Sequence, residues 1–164
     1  MKKIILVRHA KSDSKHPYPS DFERPLNDRG KMDAPAMAKL LNEIHPDIQL
    51  FISSPATRAK HTAEYFAEQF GIEKKQIQFD QNLYCATSAE ILKSISLVDD
   101  SLNSIAVFGH NPGITDLANH LGKKYIPDMP TSSFAIIKIN SSSWDKIEFA
   151  PGLLEHFDFP KSRK

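Results

Sequence analysis

The apolar residues of this chain gather into four short uninterrupted runs with amphipathic stretches between them. "IILV" (4–7), "QLFIS" (49–53), "SIAVFGH" (104–110) and "SFAIIKI" (133–139) are rich in β-branched and aromatic residues. Runs of this length without polar alternation predict strands covered on both faces. Between them the period changes. Met37, Leu40, Leu41 and Ile44 share one helical face, as do Ala59, Ala63, Phe66 and Phe70. Ile91, Ile95 and Val98 form a third stripe, and Ile114, Leu117, Ala118 and Leu121 a fourth.

Strand alternating with helix predicts right-handed crossovers and therefore an α/β fold, a three-layer α/β/α sandwich around a mainly parallel central sheet. The end of the chain reads differently. "FAIIKI", a polar "NSSSW" and then "KIEFA" (146–150) predict a closing hairpin with an antiparallel C-terminal strand. No repeat or linker divides the chain, so 1–164 is read as one domain. The longest irregular stretch is "SDSKHPYPSDFERPLNDRG" (12–30), with three prolines; a loop this long inside a compact domain is usually functional or disordered. Between Phe70 and Ser104 there is room for one short strand and one helix.

Composition narrows the function classes. At 164 residues the chain can bury about two-thirds of its unfolded surface. The formal charge of +1 leaves no surplus of Lys and Arg to neutralise a polymer of phosphates, so neither nucleic acid nor a membrane surface is an expected partner. The single cysteine, Cys85, allows no internal disulfide and fits a reducing compartment. The apolar run after Lys2 and Lys3 is too short for an export signal, and no stretch reaches membrane-spanning length. A cytoplasmic monomer is the expectation.

Three predicted strands finish in unusual chemistry. The first runs into Arg8 and His9, the second into "SSPATRAKHTA" (53–63), and the third into "GHNPG" (109–113). Ligands of open α/β sheets bind outside the carboxyl ends of the strands. Ser54 with Pro55, and Asn111 with Pro112, have the form of N-caps followed by a first helical residue, which places Arg58 about one turn into a helix. Gly109 permits close backbone approach before His110. Two arginines, two histidines and two helix N-termini converging on one spot make an anion site, with phosphate the obvious ligand. No His/Cys spacing or Asp cluster suited to a metal is present, and no cofactor is expected.

In this order and spacing, "VRHAKS", "SSPATRAKHTA" and "GHNPG" resemble the histidine phosphatase superfamily. The short length, "RPLNDRG" and the Leu83-Tyr84 pair resemble its small SixA-type branch, the phosphohistidine phosphatases. The resemblance implies a phosphoglycerate mutase-like fold. It implies His9 as nucleophile, with Arg8, Arg58 and a protonated His110 stabilising the transferring phosphoryl group. Ser12 is a further candidate for binding phosphate. Larger members carry a glutamate general acid where this chain has Tyr84 and Cys85, leaving Asp21, Glu23, Tyr84 and Glu90 as candidate acids. Because an imidazole leaving group can be protonated before its bond to phosphorus breaks, that departure favours phosphohistidine on a protein as substrate. The alternatives are a small phosphorylated metabolite, hydrolysed by the same residues, and a phosphate-binding module without turnover. His16, His45, His61, His120 and His156 are read as surface or helix-end residues. Arg24 is expected to brace its loop, Lys11 to face solvent, and Cys85 and Trp144 to pack.

Overall fold

The computed structural model describes residues 1–160; the basic residues at 161–164 lie outside that range. Six strands form one sheet: β1 (Lys2–Arg8), β2 (Leu50–Ser53), β3 (Gln78–Phe79), β4 (Ser104–Gly109), β5 (Phe134–Ile139) and β6 (Gly152–Asp158). Their order across the sheet is β3-β2-β4-β1-β5-β6. The first four in chain order pair in parallel, whereas β5 runs antiparallel to β1 and β6 to β5. Only β5 is therefore reversed in direction, and the C-terminal β6 pairs antiparallel with it while running in the direction of β1. Helices α1 (Asp28–Ile44), α2 (Thr57–Gln69), α3 (Ser88–Ile95) and α4 (Gly113–Gly122) supply the connections.

The apolar run of β1 is explained by its central position. Ile4 and Leu6 face the core shared with α3 and α4, including Ile91, Ile114 and Leu117. Ile5 and Val7 face the opposite core with Met37, Leu41 and Phe66 of α1 and α2. All four β1 side chains are fully buried, and each stabilises the fold by roughly 1.5–3 kcal/mol relative to exposure. Two cores on opposite sheet faces give the three layers that the helix–strand alternation predicts. No helix among the described residues is long and apolar enough to cross a membrane.

Two local expectations are corrected. The irregular stretch ends at Asn27, not residue 30, because the Asn27 side chain accepts from Gly30 N and caps α1. The segment 146–150 is no strand: Trp144–Phe149 forms a 3-10 turn, and the hairpin partner of β5 is β6. The turn prevails because Trp144 and Ile147, three residues apart, are both buried. Trp144 also donates from its ring to the Leu102 carbonyl at 2.9 Å. Phe149, at the end of the turn, is exposed.

Candidate active site

Register puts the chemistry together. Arg8 pairs with Gly109 across the parallel β1–β4 ladder, and His9 N–H donates to the Gly109 carbonyl at 3.1 Å. The two histidines that follow these strand ends therefore emerge side by side, with ring centroids 5.1 Å apart. Strand β2 on the other side of β4 delivers Ser54, whose N–H donates to the Phe108 carbonyl. Helix α2 then brings Arg58 back over His9. Thr62 locks that helix to the end of β1, its hydroxyl donating to the Arg58 carbonyl at 2.7 Å and accepting from Ala10 N–H at 2.9 Å.

The caps differ from expectation. α2 begins at Thr57 with Ala56 as its N-cap, and α4 begins at Gly113 with Pro112 as its N-cap. Ser54 Oγ accepts from Ala56 N–H at 3.2 Å and makes a 2.8 Å bond with His110 Nε2, so its hydroxyl serves the site. Asn111 is likewise turned away from helix capping. Its amide nitrogen donates to Asp128 Oδ1 and the Met129 carbonyl, and its oxygen accepts from Thr115 Oγ1 at 2.7 Å. The start of α4 lies close to another loop: a Cβ on Gly113 would lie 1.9 Å from the Ala86 carbonyl oxygen, so only glycine fits.

His9 is 7% exposed. Its Nδ1 faces the Ala10 carbonyl at 2.8 Å, and a carbonyl can only accept, so Nδ1 carries the proton. Nε2 is left with its lone pair and receives Arg58 Nε–H at 3.4 Å. Burial, together with the neighbouring positive groups, lowers the pKa of His9 to about 3, although the Ala10 bond opposes the shift. His9 is thus a neutral imidazole with an oriented lone pair, the state a nucleophile requires.

Burial and the charge of Arg58 pull His110 down to about 4. The expectation of a protonated His110 is therefore corrected for the unliganded site: the imidazole is neutral at pH 7. Ser54 can donate its own proton to Nε2 while accepting from Ala56, which leaves the His110 proton on Nδ1. That Nδ1 is buried and has no protein partner. Arg8 Nε is buried in the same way, while Nη1 of the same residue donates to the Met129 carbonyl at 2.8 Å and lies 3.7 Å from Asp128 Oδ2. Buried donors without a partner are rare in native proteins and suit an anionic ligand.

These protonation states carry a stability prediction. In the unfolded chain both histidines return to ordinary values near 6.5, above their folded values. Below about pH 6.5 the unfolded state binds more protons, so stability is fully present above that pH and lost as pH falls toward 4. The urea midpoint is expected to drop between pH 7.5 and pH 5. A His9→Asn/His110→Asn double variant should show a smaller drop, measured by equilibrium unfolding at both pH values.

The remaining candidates are distributed around this centre. Ser12 is buried and its hydroxyl accepts from Arg24 Nη1. Arg24 also donates to Asp21 Oδ1 at 2.9 Å, bracing the loop as expected. Asp21 accepts from Arg58 and Tyr84, and these donors with Arg24 hold its carboxyl well below the ordinary range. The same bond pushes Tyr84 up to about 12. Tyr84 packs edge-on to His110 at 5.6 Å. Glu90 is turned onto Thr87 in a capping box at the start of α3, and Glu23 is exposed in the loop. Cys85 is exposed, not packed, with a left-handed φ of 50°. His61 lines a cleft of about 340 Å³ with Leu26, Lys31, Glu64 and Lys74, whose lining includes none of Arg8, His9, Arg58 and His110. Among the described residues no group of three or more His, Cys, Asp or Glu is placed to hold a metal ion. Sequence reasoning missed Thr62, which ties Arg58 to the end of β1, and Asp128 and Met129, which hold Arg8; the loop that carries the last two has no motif to announce it.

The model of the histidine phosphatase superfamily (branch 1) matches residues 4–84, the span that contains His9, Arg58 and Tyr84. Over that span the chain is similar to the histidine phosphatase superfamily. Its fold is that of the SixA-type members. The structure of the protein histidine phosphatase SixA complexed with tungstate superposes with a TM-score of 0.83, covering 99% of each chain at 21% identity. A protein from Agrobacterium tumefaciens assigned to the same type is 25% identical, with a TM-score of 0.81 over 97% of this chain and 98% of that one. Uncharacterized proteins from Arabidopsis thaliana (chloroplastic) and Mycobacterium leprae are 28% and 26% identical. The matches cover 88% and 94% of this chain, and 70% and 100% of those proteins.

Proposed function

We propose that this protein is a phosphatase that hydrolyses phosphohistidine on a protein substrate through a phosphohistidine formed on His9. The observation that carries this reading is the state of the groups around the nucleophile. His9 presents the Nε2 lone pair, whereas Asp21, the carboxyl group held on Arg58, is ionised and the Tyr84 hydroxyl is a weaker acid than usual. Neither has a proton readily given to an alkoxide.

A phosphohistidine substrate needs none. The attacking Nε2 forms a bond to phosphorus as the substrate's N–P bond breaks, and the departing imidazole leaves neutral with the proton already on its other nitrogen. His9 keeps its Nδ1 proton against the Ala10 carbonyl, which stabilises the cationic ring of the intermediate. Water then attacks phosphorus, Nε2 leaves, and inorganic phosphate departs with the water's oxygen and protons. Arg8, Arg58 and the His110 Nδ1–H hold the equatorial oxygens in both displacements. A bound phosphoryl dianion favours protonation of His110, so its charge arrives with the ligand. The likeness in fold to the tungstate-bound SixA, a protein histidine phosphatase, supports the same substrate class.

The test compares phosphate release from a phosphohistidine protein with release from an alkyl phosphate. A general acid is worth about a hundredfold or more, so kcat/KM is expected to favour phosphohistidine by at least about that factor. Comparable values on the two would replace this reading with the small-molecule phosphomonoesterase.

A further inference from the structure

The loop between Ser12 and Asn27 places one residue against the buried clamp. Arg58 Nη1 donates to the main-chain carbonyl of Asp21 at 2.8 Å, and Nη2 donates to Oδ2 of the same residue at 2.9 Å. A guanidinium is planar and rigid, with five N–H donors in a set fork. Once both terminal nitrogens are held, the direction of Nε is determined, and it points to His9 Nε2 at 3.4 Å. Asp21 approaches from the solvent side: its side chain is 48% exposed and that of Arg58 only 5%.

Asp21 is itself anchored. Tyr84 Oη donates to Oδ2 at 2.7 Å, and Arg24 Nη2 donates to Oδ1 at 2.9 Å while its other terminal nitrogen donates to Ser12. Phe22 packs edge-on against Tyr84 with centroids 5.1 Å apart. Arg24 also offsets the carboxylate charge, so the positive charge of Arg58 is not cancelled where a phosphoryl group would sit.

We propose that Asp21 is a positioning residue of this site, holding both terminal nitrogens of Arg58 from outside so that the Nε edge of the guanidinium addresses the phosphoryl group being transferred to His9. The inference rests on the reading of Arg58 as a phosphoryl clamp. It gives the long loop a task that a connector would not need, and it makes Tyr84, together with Arg24, a support of Asp21.

The test is a double-mutant cycle on Asp21→Asn and Arg58→Ala. It is read by the affinity for inorganic vanadate, a mimic of five-coordinate phosphorus, and by kcat and KM with a phosphohistidine peptide. Asparagine keeps the size of the side chain and the main-chain contact. Misplacing a catalytic group by about 1 Å costs on the order of a hundredfold, so Asp21→Asn is expected to weaken vanadate binding ten- to a hundredfold. The loss with peptide should appear in kcat more than KM, because the contact matters most as charge develops. In the Arg58→Ala background the same substitution should change neither quantity. Tyr84→Phe, which removes one support of Asp21, should reproduce the effect in smaller measure.

Tighter vanadate binding by Asp21→Asn would overturn the proposal and make the carboxylate an internal competitor for Arg58. A full loss that persists in Arg58→Ala would also overturn it, since Asp21 would then act on the reacting groups directly. So would an Asp21→Asn protein with wild-type affinity and kcat. Wild-type vanadate affinity in Arg58→Ala alone would refute the clamp reading beneath it, a result separable from the others.

Discussion

Replacing His9 with alanine is expected to reduce turnover by on the order of 10⁴-fold or more and to abolish any phosphoryl label on the protein. Loss of a nucleophile removes the covalent pathway, and residues that act with it cannot compensate. His9 sits at the end of a fully buried strand, its ring turned by the Ala10 carbonyl so that Nε2 faces Arg58. His9→Asn provides a control for folding, because its amide can donate to the same carbonyl while offering no nucleophilic nitrogen. The measurement is brief incubation with a radiolabelled phosphohistidine protein, followed by acid and alkali treatment. Wild-type label should be alkali-stable and acid-labile, as expected for phosphorus bound to nitrogen, and absent from both variants. Label that survives in His9→Ala would move the nucleophile elsewhere.

The second large effect belongs to Arg58. Arg58→Ala is expected to lower kcat/KM by about 10²- to 10³-fold, the scale for losing one preorganised donor to developing charge. Arg58→Lys should recover little of it. A lysine restores the charge but not the fork, and the fork makes two contacts to Asp21 while presenting Nε to His9. Steady-state kinetics on the three proteins checks this. Recovery by lysine to within a few-fold of wild type would mean that charge alone matters at this position and that guanidinium geometry does not.

Part of this site could be read directly along the chain because short-range rules govern it. "IILV" ends in Arg8-His9 and "SIAVFG" in His110, and a parallel sheet aligns carboxyl ends of neighbouring strands. Helix stripes gave the layer order for the same reason, since an apolar face has only the sheet to cover it. The hairpin was legible in kind but displaced. Ile147 and Phe149 look like strand residues in isolation, yet burying Trp144 and Ile147 on one side outweighs their β propensity.

What the sequence by itself determined is the central strand run, the two histidines and two arginines at strand and helix ends, and the family they resemble. These depend on residue type and spacing, which are visible without coordinates. The tertiary structure decided the protonation states and the supports. His110 is neutral because burial and Arg58 disfavour its charge, and neither is written in its neighbours along the chain. Asp21 lies 37 residues from Arg58 and 63 from Tyr84, and it meets them only after the loop closes over α2. Electrostatic environment and loop position are sums over distant groups, so only the folded arrangement could bring Asp21 into contact with Arg58 and Tyr84.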